Sequence, residues 1–221
     1  DNRSALYLDG ASSNTITQSY MANPAGNGAY LEADSTGNTI SWSTMTSDAA
    51  GYHALYINAS ASNTIVDSYI QGSTAVYLSG STGTVIGGSV LVATNTAGSA
   101  LQMDQGSVNL TLSSSSLSAP SQGAGVYLGA GNSGLISLST NTILAGSRYG
   151  IYIAAQNTGT QIWIASNTIL PTLSSTLDTY GLYLDGLTSG ATISNNGIYY
   201  RTSGGAAART YYGLHAQNSA G

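Results

Sequence analysis

Apolar residues along this chain recur in short alternating triplets. The triplet Leu6, Tyr7, Leu8 returns as Ala29, Tyr30, Leu31; Leu55, Tyr56, Ile57; Val76, Tyr77, Leu78; Leu101, Gln102, Met103; Val126, Tyr127, Leu128; Ile151, Tyr152, Ile153; Leu182, Tyr183, Leu184; and Leu214, His215, Ala216. The triplet centres lie 23, 26, 21, 25, 25, 25, 31 and 32 residues apart. A second ladder runs through Ile16, Ile40, Ile65, Ile86, Leu112, Leu138, Ile164 and Ile193. Five residues after each stands a third apolar position: Met21, Met45, Ile70, Leu91, Leu117, Ile143, Ile169 and Ile198. The segments are too short for helices and alternate with the period of two that strands require. Gly, Ser, Asn and Asp separate them, as turn chemistry demands.

A β-sandwich would not place the same residue types at the same offsets eight times in succession. A solenoid does, because equivalent positions of successive coils stack about 4.8 Å apart in a parallel sheet. The pattern therefore predicts an all-β, single-stranded parallel β-helix of eight to nine coils with three short strands per coil. It would form a rod of roughly 40 Å and one domain over residues 1–221. Irregular insertions are expected at 171–180 and 199–212.

The runs ALYLDGASSNTI, ending at Ile16, and HALYINASASNTI, ending at Ile65, resemble the parallel β-helix repeat of the pectin-lyase-like superfamily, and the character is closest to bacterial surface or passenger β-helices. The resemblance extends from residue 5 to about residue 217. It implies the right-handed form, which is also the hand of parallel crossovers generally. It says little about activity, because one fold hosts many functions. Related coils serve lyases and hydrolases of polysaccharides, phage tailspikes and surface passengers.

Alternation sends the central tyrosine of each triplet outward. Tyr7, Tyr30, Tyr56, Tyr77, Tyr127, Tyr152 and Tyr183 are then one aromatic column, either a stabilising ladder or a platform for sugar rings or a packing partner. Asn14, Asn38 and Asn63 are expected to form an internal ladder at the turn before the second strand. Gly28, Gly125, Gly150, Gly181 and Gly213 read as a corner of the coil. Outward pairs such as Thr15 with Thr17, Thr39 with Ser41 and Thr111 with Ser113 resemble the hydroxyl faces of ice-binding solenoids. Val85 with Gly87 and Trp163 with Ala165 interrupt that array.

Composition narrows the chemistry. Of 221 residues only 13 are charged, four arginines and nine acids, so the net charge is −5. Without clustered cations there is no basis for nucleic-acid binding, and without cysteine there is neither a disulfide nor a thiolate metal site. No apolar run reaches the roughly 20 residues of a membrane span, and no motif points to a cofactor or metal. Asp9 and Glu32 fall at equivalent positions of neighbouring coils. That proximity is permissive for paired-carboxylate chemistry and would equally suit a surface calcium ion held by oxygen ligands. Yet the sequence offers no lysine, and its two histidines, His53 and His215, lie many coils apart, so no enzyme is expected.

Residues 1–110 carry seven acids and one arginine, −6 in all, while residues 111–221 carry two acids and three arginines, +1 in all. This polarity suits head-to-tail stacking of copies, and non-closing contacts of that kind make filaments. The chain also shows no visible capping segment, so it is expected either to belong to a longer repeat protein, joined to flanking repeats, or to polymerise. Contact residues are densest in the second insertion, at Tyr199, Tyr200, Arg201, Arg209, Tyr211 and Tyr212. The leading expectation is a structural extracellular or cell-surface rod, a repeat unit of a fibre, filament or adhesin stalk. A carbohydrate-binding or carbohydrate-active β-helix that takes glycans is the alternative, and an ice-binding solenoid a third.

Overall fold

The computed structural model describes residues 4–120, 122–146, 148–154, 160–174, 177–186, 190–201 and 210–218. Its strands form three parallel sheets of nine, eight and eight members. Each sheet takes one strand from every coil in sequence order, which is the topology of a right-handed parallel β-helix. Among the described residues no helix is long and apolar enough to cross a membrane.

All three apolar ladders pair in the expected register. Tyr7 lies beside Tyr30, Ile16 beside Ile40 and Met21 beside Met45, and the same alignment continues through the later coils. The inward residues are shut off from solvent: Leu55, Ile57, Ile65 and Ile70 of the third coil are all 0% exposed. Burying each such side chain contributes about 1.5–3 kcal/mol relative to leaving it exposed, and the repeat supplies a comparable set in coil after coil.

The corners follow from local chemistry. Between the second and third sheets one residue per coil adopts a left-handed backbone: Gln18, Trp42, Asp67, Gly88, Ser114, Thr140, Ser166 and Asn195, with φ between 50° and 58°. Seven of these eight carry a Cβ, so the conformation costs about 1–2 kcal/mol at each. The next residue offsets that cost. Ser19, Ser43, Ser68, Ser89 and Ser115, then Asn141, Asn167 and Asn196, form a column in which the backbone N–H of each of the first seven donates to the side-chain oxygen of the next member, at 2.9–3.2 Å. The expected ladder before the second strand is present too, with the Asn14 amide nitrogen donating to Asn38 Oδ1 and that of Asn38 to Asn63 Oδ1, both at 2.9 Å.

The glycine column marks a corner for a reason of space. A Cβ on Gly125 would come within 2.1 Å of Ile143 Cγ2, and one on Gly150 within 2.4 Å of Ile169 Cγ2. Regular strands reach into both stretches expected as insertions. Pro171 still ends a third-sheet strand, Thr168–Pro171, and Thr179 already opens the first-sheet strand Thr179–Asp185. Tyr211 and Tyr212 lie in the ninth first-sheet strand, Tyr211–Gln217.

Candidate functional site

The outer face of the first sheet carries the densest chemistry. The tyrosine column is real and its members are half-buried. Tyr30 and Tyr56 stack with ring centres 4.7 Å apart and planes 6° from parallel; Tyr56 and Tyr77 are 5.2 Å apart. Gln102 interrupts the run, which then resumes through Tyr127, Tyr152 and Tyr183 at 5.2 and 5.1 Å and ends on His215, stacked on Tyr183 at 5.1 Å. The rings of this column thus meet one another, which is the stabilising arrangement expected of a ladder.

A second aromatic column, absent from the sequence reading, lies beside the last part of the first. Tyr149, Tyr180 and Tyr212 each stand three residues before the central residue of their triplet and are in register. Their ring centres are 5.4 and 5.0 Å apart and their planes nearly parallel. The Arg148 guanidinium sits 5.0 Å from the Tyr149 ring centre, a distance at which the ring quadrupole attracts a cation. In the earlier coils His53 takes the corresponding place, 5.4 Å from Tyr56 and 4.7 Å from Tyr77. Burial there pushes its pKa down to about 4, since a charged imidazole would lose its hydration.

Polar side chains follow the tyrosines two residues on. Asp9 pairs in register with Glu32, as the repeat alignment requires. The Glu32 carboxylate is already engaged: Tyr7 Oη donates to Oε1 and Tyr30 Oη to Oε2. These hydroxyls, Tyr30 first, hold the carboxyl below its usual range. Burial and the bond to Glu32 push the Tyr30 hydroxyl the other way. Glu32 is therefore an ionised acceptor with both oxygens occupied, poorly suited to donate or take a proton. Further along, Gln102 Nε2 donates to Asp104 Oδ2 at 2.6 Å, and the Asp104 charge, after burial, raises the pKa of both Tyr77 and Tyr127. Gly129 makes room for that carboxylate: a Cβ there would fall 1.4 Å from Asp104 Oδ1.

The break at Gln102 opens a hollow of about 290 Å³ between the two aromatic runs, lined by Ser99, Gln102, Gln122, Tyr127, Tyr149 and Tyr152 among others. Among the described residues no group of three or more His, Asp or Glu is gathered to hold a metal ion.

The described contact residues expected in the second insertion fall on either side of residues 202–209. Tyr212 joins the second aromatic column, and Tyr211 lies 6.0 Å from Tyr200. Tyr199 is exposed, and Arg201 donates from Nη2 to Thr172 Oγ1 at 2.9 Å. Arg209 lies outside the described residues.

A family model described as a right-handed beta helix region matches residues 4–169. No curated protein matches the chain. Among solved structures, the catalytic domain of Agl-KA is similar with a TM-score of 0.59 and 14% identity, covering 94% of this chain and 48% of that one. The tailspike gp61 of Pseudomonas phage phi297 gives a TM-score of 0.38 at 11% identity, over 92% of this chain and 43% of that one. PfbA, a surface adhesin of Streptococcus pneumoniae, gives 0.27 at 10%, over 92% and 71%. The chain thus spans about half the length of the first two, and at 14% identity the likeness to the Agl-KA domain is one of fold.

Proposed function

The chain belongs to the right-handed β-helix family, and we propose that it serves as the rod of an extracellular fibre, filament or adhesin stalk, joining copies of itself head to tail. The observation that carries this reading is the continuity of the ladders. Apolar core, corner column and tyrosine column are aligned coil upon coil, so the molecule extends in one direction by nearest-neighbour contacts. The acid-rich first half and slightly basic second half give the rod an electrical polarity that favours head-to-tail over head-to-head encounter. Engagement of Glu32 by two tyrosines argues for structure over catalysis at the acidic pair.

Electron microscopy and sedimentation of the purified chain at low and high salt test the assembly. End-joined particles that shorten as salt rises are expected, because exposed charges are screened; monomers at every salt and protein concentration would overturn head-to-tail joining. Antibody labelling of intact source cells tests the placement outside the cell.

A second reading is favoured by one observation, the hollow beside the paired columns of tyrosine. There a glycan would meet rings on one side and amides on the other. Binding to a glycan array that Tyr149→Ala abolishes would support it. A comparison with Asp9→Asn and Glu32→Gln asks whether the acidic pair takes part.

A further inference from the structure

The outer face of the second sheet is mainly a hydroxyl surface, interrupted at Val85 and at Trp163. Along one column of that face stand Thr15, Thr39, Thr64, Val85, Thr111, Ser137, Trp163 and Thr192, neighbours in register. Trp163 breaks the run of small residues and is 49% exposed, and Leu135, which pairs with Gln161 in the neighbouring strand, is 46% exposed. Both line a hollow of about 550 Å³ with Gln161, Gly190 and Thr192, a volume within the range of small-ligand sites.

Three features define what would fit. The indole stands between Ser137 and Thr192, side chains too short to cover it, and among the described residues no aromatic ring stacks on it. This sets it apart from the tyrosines of the first sheet, whose rings pack on one another. The polar groups beside it are an amide and hydroxyls, able both to donate and to accept. Among the described residues no charged side chain lines the hollow, so these offer no counter-charge to an ionic ligand. Two exposed apolar side chains also fall far short of a protein interface of about 800 Å² per partner.

We propose that this hollow is a binding site for a neutral saccharide, with a pyranose ring lying against the Trp163 indole and its hydroxyls reaching Gln161 and Thr192. The site is on a different sheet from the tyrosine columns and rests on neither reading above.

The test uses the whole chain with Trp42→Tyr, which leaves Trp163 as the sole tryptophan and fluorophore of its kind. It is titrated with neutral linear hexasaccharides of glucose, mannose and galactose, and with an acidic uronic-acid hexasaccharide as comparison. A saturable change in Trp163 emission with at least one neutral sugar is expected, weaker or absent with the acidic one. Calorimetry on the unmodified chain should give the same preference. Trp163→Ala should weaken binding by about tenfold or more, while Trp163→Tyr should keep most of it. Tyr20→Ala, on the third sheet, should leave it unchanged. Circular dichroism and the melting temperature of Trp163→Ala should match the parent, since the side chain is exposed. No saturable change with any neutral sugar, equal binding after Trp163→Ala, or preference for the acidic sugar would each overturn the proposal.

Discussion

Asn167 offers the sharpest test of what holds the coils together. It is 1% exposed and sits in the corner column between the second and third sheets. Its Oδ1 accepts from the backbone N–H and the side-chain amide of Asn141, both at 3.0 Å, and its Nδ2 donates to the Leu138 carbonyl and to Asn196 Oδ1, both at 2.9 Å. Alanine removes all four bonds, but the consequences differ. Asn141 Nδ2 keeps the Leu112 carbonyl, and Asn196 Oδ1 keeps the backbone N–H of residue 167. The Asn141 N–H loses its acceptor in a buried place. One stranded donor costs about 1–3 kcal/mol and the other losses about 1 kcal/mol together, so Asn167→Ala should destabilise by about 3 kcal/mol. Serine should behave differently, because the earlier coils use it at this position: Ser89 N–H donates to Ser115 Oγ at 3.2 Å, and that hydroxyl donates to the Ser113 carbonyl at 2.8 Å. Asn167→Ser therefore restores the acceptor and should cost only about 1 kcal/mol. Asn167→Asp accepts but cannot donate to Leu138, and should be at least as damaging as alanine near neutral pH. Equilibrium urea unfolding, with the slope checked for constancy across variants, ranks the three. Alanine and serine variants of equal stability would refute the view that acceptance of the neighbouring coil's N–H governs this corner.

Other perturbations discriminate equally well. Gly150→Ala should destabilise by about 1–3 kcal/mol through overpacking against Ile169, whereas Gly213→Ala, with nothing within 4 Å of the added carbon, should be close to neutral in thermal melts. His53, with a pKa of about 4 when folded against about 6.5 unfolded, binds protons more readily in the unfolded chain. Its contribution is complete above pH 6.5 and disappears as pH falls toward 4, a loss of about 2–3 kcal/mol that His53→Asn should abolish in a series of melts across that window. Glu32 has the same sign at lower pH: its depressed pKa makes stability fall further below the ordinary carboxylate range, and Glu32→Gln should flatten that limb. Tyr56→Ala, which removes a ring packed between two others, should cost about 1–2 kcal/mol by urea unfolding. Tyr20→Ala, at a 76% exposed position, should have almost no effect.

The three apolar ladders were legible in the sequence because each coil repeats the same burial problem at fixed offsets, so one alignment settles register, sheet membership and core. Asn14, Asn38 and Asn63 were visible for the same reason. The Ser and Asn corner column was not, although every coil has it, because serine is abundant here and a mixed Ser-to-Asn column shows no residue identity to align. Its companion signal was hidden too. Gln18, Trp42, Asp67 and Thr140 share a left-handed backbone without sharing any side-chain chemistry, so the common φ leaves no mark in the sequence. Tyr149, Tyr180 and Tyr212 escaped notice because they stack only where the coil lengthens to 31 and 32 residues and the reading frame of the repeat loosens. The engagement of Glu32 depends on how far two phenols reach across a strand, a distance that spacing along the chain does not encode. At the far end of 199–212, Tyr211 and Tyr212 already open the next first-sheet strand, a boundary that sequence proximity to Tyr199 and Tyr200 does not mark.

These observations bear on where recognition should be sought on such a rod. Stability resides in the core and in the corners, where each group is answered by its counterpart in the next coil, so the outer faces are free to differ from one another. On the first face the rings answer one another as well: a tyrosine stacked between two neighbours 4.7 and 5.2 Å away has little aromatic surface left for a ligand, and its removal should register first as lost stability. A ring that interrupts a column has no such neighbour, and its removal should register first as lost binding. Trp163 on the second sheet has that character, and Gln102 marks the corresponding gap on the first. Breaks in the repeat, more than the repeat itself, are therefore the places where this scaffold can meet another molecule without weakening its own ladder.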